Sequence, residues 1–69
     1  MKATIYHVVV ETTANEDYES TIGTRFELET AAEKASISRP DVFIRIGDLY
    51  VRAGDIKTMR IDREMEVEQ

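Results

Sequence analysis

The chain reads as an α+β fold, an antiparallel and strongly curved sheet of about five strands with one short helix, in the order β-β-α-β-β-β. Three observations predict it. The stretch Val42 to Asp62 reads as two strands around a tight turn, then a bend and a third strand. Ala3 to Thr12 has strand length and is nearly continuously apolar from Ile5 to Val10, with His7 the interruption. Between these regions lies a Thr-x-x-Glu signal followed by alanines, the mark of a helix start.

The first strand, Ala3 to Thr12, places Tyr6, Val8 and Val10 on one face and Ile5, His7 and Val9 on the other. A strand apolar on both faces is expected to be covered on both, by the helix or by a second subunit. Thr13 to Ser20 is polar and acidic and reads as a loop, with Tyr18 its one large apolar group. Tyr18 either anchors that loop to the body or offers an aromatic contact flanked by acids. Thr21 to Glu29 alternates, with Ile22, Thr24, Phe26 and Leu28 facing inward, and reads as the second strand. Thr30 and Glu33 then form a capping box, and a helix of about two turns extends to Ser36 with Ala32 and Ala35 buried. Arg39-Pro40 closes it, because a residue before proline avoids helical geometry.

The hairpin is the firmest element. A two-residue Gly47-Asp48 loop suits a type II′ turn, since glycine at the first loop position tolerates φ > 0. The register follows: Phe43 opposite Arg52, Ile44 opposite Val51, Arg45 opposite Tyr50 and Ile46 opposite Leu49. One face is aliphatic and belongs to the core. A slip of one residue would bury two arginines, so the register is strongly specified. Asp55 to Thr58 reads as a single helical turn tucking Ile56 under the sheet, and a last strand begins near Met59. The tail from Glu64 to Gln69 alternates Met65 and Val67 with acids, which fits either a continued edge strand or a frayed end. The predicted core is Tyr6, Val8, Val10, Ile22, Phe26, Leu28, Ala32, Ala35, Ile44, Ile46, Leu49, Val51, Ile56, Met59 and Ile61.

Sixty-nine residues make one small domain, spanning 1–69. A chain of this size buries only about 60% of its unfolded surface, so added support is valuable. With no cysteine and one histidine, neither disulfides nor a thiolate or histidine metal site supplies it, which leaves oligomerisation. The composition is compatible with a reducing cytoplasm, and no stretch has the length of a membrane span. The net charge of −5 disfavours bulk attraction to nucleic acid or to anionic membrane. The charge is uneven: seven acids and one base lie between Glu11 and Glu33, against six bases and four aspartates between Arg39 and Arg63.

No catalytic constellation is present. His7 has no second histidine to work with, and the glycines are too scattered for a phosphate loop. No cofactor or metal is implied, and no catalytic residue is assigned. The candidate binding surface is the outer hairpin face, Phe43, Arg45, Tyr50 and Arg52, with Lys57 and Arg60 as candidate neighbours. Interleaved rings and arginines either pair across the strands, each arginine shielding a ring, or serve recognition. The sequence therefore points to a small non-catalytic protein that acts through a protein partner or self-association, with the general look of bacterial or phage accessory proteins. The alternative is a nucleic-acid-binding module using the same four residues, with stacked bases and arginine-bound phosphates. A third reading is an enzyme subunit whose site is completed by another chain.

Overall fold

The structure is a computed structural model, described here over residues 2–68. It is α+β: β1 (Lys2–Thr12), β2 (Asp17–Ile22), α1 (Arg25–Ile37), β3 (Phe43–Ile46), β4 (Leu49–Arg52), a 3₁₀ turn (Ala53–Asp55) and β5 (Ile56–Glu68). All strand pairs are antiparallel. The strands form two sheets rather than the single, strongly curved sheet expected from sequence. One has the order β2-β1-β5 and the other is the β3-β4 ribbon. The 3₁₀ turn causes the split. The Ala53 amide still extends the ribbon ladder, donating to the Val42 carbonyl at 2.8 Å; the Gly54 amide then bonds the Pro40 carbonyl at 3.0 Å, and the turn carries the chain out of the ribbon. β5 then returns to pair with β1 instead of β4. The turn falls at Ala53–Asp55, earlier than the expected Asp55 to Thr58, and β5 starts at Ile56.

β1 is the middle strand of the larger sheet. Its even-numbered residues face a core of Val8, Val10, Ile22, Ala31, Ile44, Ile46 and Val51, to which Leu28, Leu49, Ile56, Met59 and Ile61 add partly buried side chains. The ribbon and α1 both lie on this face. Ser20 fastens the ribbon's tip to β2: its hydroxyl donates to the Ile46 carbonyl at 2.7 Å and accepts from the Asp48 amide at 3.3 Å.

Two boundaries differ from the sequence reading. The loop is confined to the residues before Asp17, so Asp17 to Ser20 belongs to β2. It closes tightly: Asn15 adopts φ 61, the Thr12 amide donates to the Glu16 carbonyl at 2.9 Å, and the Thr12 hydroxyl accepts from the Glu16 amide at 3.2 Å. The alternating run from Thr21 to Glu29 is only briefly strand, because α1 starts at Arg25. The capping box is Thr24 with Glu27, not Thr30 with Glu33. The Glu27 carboxylate accepts from the Gly23 and Thr24 amides at 2.7 and 3.2 Å, and the Thr24 hydroxyl accepts from the Glu27 amide at 3.3 Å. Both Thr-x-x-Glu signals satisfy the rule, and the earlier one gives 13 helical residues instead of about two turns. The change moves the buried stripe to Leu28, Ala31 and Ala35 and leaves Phe26 and Ala32 exposed. Opposite that end, Arg25 spans to Glu64 on β5 while its guanidinium lies 5.4 Å from the Tyr6 ring centroid. The tail is strand: β5 stays paired with β1 as far as Glu68 opposite Lys2.

The hairpin has the predicted register at all four pairs. Gly47 sits at φ 60, and a Cβ there would lie 2.2 Å from the Thr21 carbonyl oxygen and 2.4 Å from Ser20 Oγ. Gly47→Ala should cost about 2–3 kcal/mol through strained φ and displacement of β2. Gly23→Ala, which meets only a carboxylate oxygen at 3.8 Å, should be close to neutral. Urea midpoints of the two variants measure the difference, and equal midpoints would contradict the close approach. Thr24→Ala should likewise cost about 1 kcal/mol by loss of the cap, while Thr30→Ala, inside the helix, should lose much less.

Candidate functional site

Hairpin phase determines what faces outward. The Val42–Ala53 hydrogen bond continues the ladder beyond Phe43 and Arg52, and alternation then puts Ile44, Ile46 and Val51 in the core. Phe43, Arg45, Tyr50 and Arg52 all project from the opposite face. Phe43 is 62% exposed and Tyr50 61%, large values for rings on a strand pair.

The arginines do not shield them. Arg45 turns its Nε to the Gly47 carbonyl at 2.9 Å, and Arg52 turns its Nε to Asp55 Oδ2 at 3.0 Å. Among the described residues the cation–π contact is Arg25 over Tyr6, on the other sheet. The expected cross-strand stacking of Arg45 on Tyr50 and Arg52 on Phe43 is thus replaced by local polar partners, and both rings face solvent. Arg52 is neutralised by Asp55, whereas no carboxylate of the described residues lies within ion-pair distance of Arg45.

Two open clefts flank Phe43. The first, of about 430 Å³, lies between the β1–β2 turn and the ribbon and is walled by Tyr18, Phe43, Tyr50, Arg52, Glu16 and Asp55 among others. The second, of about 700 Å³, runs between α1 and β3 past Phe26, Lys34, Val42 and Arg45. Sequence reasoning missed Phe26 and Val42 as members of this surface. The signal for Phe26 was the Thr24 cap, because a helix starting there rotates Phe26 off the Leu28–Ala31–Ala35 stripe. Lys57 and Arg60 are not brought to the site. Both belong to β5, where Lys57 pairs with Glu11 at 3.1 Å and Arg60 lies opposite Val9.

Tyr18 is 42% exposed and donates its hydroxyl to the Glu16 carboxylate. That bond, with the nearby negative charge, raises its pKa above the ordinary tyrosine value. His7 lies on the far face of the larger sheet. Its Nε2 is 3.6 Å from Glu19 and its Nδ1 3.5 Å from Asp62, and Nδ1 is buried without a hydrogen-bond partner. The carboxylates flank opposite ring nitrogens, so the three groups do not converge on one point. Among the described residues no group of three or more His, Asp or Glu side chains is placed to hold a metal ion.

Comparison with known proteins adds no identification: no family model matches the chain, and no match is found among curated proteins or solved structures.

The Tyr18–Glu16 bond is testable by titration. Its contribution is present below the ordinary tyrosine pKa and is lost as pH rises through the elevated one. Glu16→Gln should shift part of the ultraviolet phenolate signal to lower pH, and an unchanged titration curve would exclude the bond in solution.

Proposed function

We propose that this chain is a small, non-catalytic interaction protein of the cytoplasm that works as a homo-oligomer and engages a protein partner through the Phe43–Tyr50 face. The observation that carries this reading is two neighbouring aromatic rings, each more than three-fifths exposed, with their arginines drawn aside. Exposed rings at the meeting of two clefts suit interface anchors, which are enriched in aromatic residues and arginine.

Local electrostatics favours protein over nucleic acid as the occupant. A single-stranded nucleic acid needs a basic track beside its stacking rings. Here Arg52 is bound to Asp55, and Glu16 and Asp55 line the adjoining cleft, so a phosphate backbone meets carboxylates. Arg45 and Lys34 beside the second cleft suit an acidic or carbonyl-rich protein segment instead. The cysteine-free composition fits a reducing compartment, and none of the described helices is long and apolar enough to cross a membrane.

In pulldowns, Phe43→Ala and Tyr50→Ala should each weaken partner capture by at least tenfold, about 1.4 kcal/mol, while leaving the thermal transition nearly unchanged. Retention of the partner by both variants would remove this face. Titration of a fluorescent oligothymidylate at low salt should show no binding. Binding that weakens steeply with salt and disappears in Arg45→Ala would establish the nucleic-acid reading in its place.

A further inference from the structure

The far face of the β2-β1-β5 sheet carries no helix, since α1 and the ribbon both pack on the Val8–Val10 side. β1 presents Ala3, Ile5, His7 and Val9 there, and Met65 and Val67 extend the apolar stripe along β5. The flanking strands carry opposite charges. On β2, Asp17 and Glu19 lie opposite Glu11 and Val9; on β5, Arg60 and Arg63 lie opposite Val9 and His7, with Lys57 bound to Glu11. On this face β2 thus borders the stripe with two acids, while β5 borders it with Arg60 and Arg63 around Asp62, whose carboxylate lies 3.5 Å from His7 Nδ1, leaving the β5 side net positive.

We infer that this face is covered by a second copy of the chain, related by a two-fold axis running nearly parallel to β1. The inference deepens the homo-oligomer reading above and rests on it. The charge columns select the axis. Rotation about an axis parallel to the strands exchanges the two sides of the sheet, so each acidic β2 column lies over the partner's basic β5 column. Rotation about an axis across the strands would instead set acids on acids and bases on bases. A pure two-fold also allows no translation along its axis, so residues at the same level face one another. Glu19 and Arg60 share the level of Val9. Each Glu19 therefore meets an Arg60 of the other copy, twice in the dimer, while Ile5, His7, Val9 and Glu11, the last neutralised by Lys57 of its own chain, meet their own counterparts near the axis. A small tilt of the strands from the axis gives the crossing of about −30° usual for packed sheets.

The dimensions fit a weak dimer. β1 and β5 run together for about 36 Å, but β2 adds its width only over its six residues, about 20 Å, so the face measures about 430 Å² on each copy. The total of about 900 Å² is below the size of standard stable interfaces and suits a concentration-dependent association. At that size the contribution of Ile5, Met65 and Val67 is modest, and the charge pairs fix orientation.

Light scattering across a concentration series should show the wild-type chain dimerising. Glu19→Arg and Arg60→Glu should each raise the dissociation constant at least tenfold, and the double variant should restore it to within a few-fold. Dimers that persist in both single variants, or that fail to return in the double variant, would overturn this interface. A wild-type monomer at all concentrations would overturn self-association while leaving capture through Phe43 and Tyr50 to its own pulldown. A charge-independent check uses the absence of native cysteine. Ile5→Cys should give a covalent dimer with a short bis-maleimide and Phe43→Cys should not; equal yields would also refute the arrangement.

Discussion

Hydrogen bonding along both edges of β1 is the constraint on which the rest of the structure depends. β2 and β5 take up its two edges, which fixes Val8 and Val10 at the centre of the molecule. The remaining core side chains gather into one cluster with these two valines. Ile22 arrives from β2, Ala31 from the helix, and Ile44, Ile46 and Val51 from the ribbon laid across the same face. Because the strand is so fully paired, its side chains are the one part of it left to vary, and they separate into two chemically distinct surfaces. One is the aliphatic core. The other places Val9, which is 6% exposed, between Glu19 on β2 and Arg60 on β5.

The sequence was legible where one pattern had one structural answer. In the ribbon, Gly47-Asp48 and the alternation around it admitted a single register, because a slip would have put Arg45 and Arg52 in the core. The apolar character of β1 on both faces was also readable, although within the chain the helix and ribbon cover only the Val8–Val10 face. Reading failed where a pattern had two answers. Thr24–Glu27 and Thr30–Glu33 are both good capping boxes, and alternation through Phe26 and Leu28 fits a strand as well as the first helical turn. Tertiary context chose the earlier cap, where Arg25 reaches Glu64 and lies against Tyr6. The division into two sheets was not legible, because it depends on main-chain bonds from the 3₁₀ turn to Val42 and Pro40.

The four residues of the candidate surface were recoverable from hairpin parity, but their mutual arrangement was not. Whether an arginine lies over a ring or turns to a carbonyl depends on what the turn and Asp55 offer nearby. The outcome leaves two exposed surfaces on different sides of a small body. The aromatic one is rimmed by clefts, and the sheet face is bordered by opposite charges. A dimer built on the second would hold two copies of the first at a fixed separation, and a divalent target would gain effective concentration from that alone.

The long β1–β5 ladder has a consequence for how the molecule assembles. It joins the first strand to the last, so its contacts are among the most non-local in the chain. The β1–β2 and β3–β4 hairpins close over short loops and can form early, within microseconds for an isolated hairpin. Docking β5 on β1 closes a loop that contains the helix and the ribbon, so it carries the largest closure cost of the strand pairings. Until β5 docks, one edge of β1 stays unpaired and sticky. High contact order of this kind slows folding, and it locates the risk of misassociation in the interval before the last strand arrives.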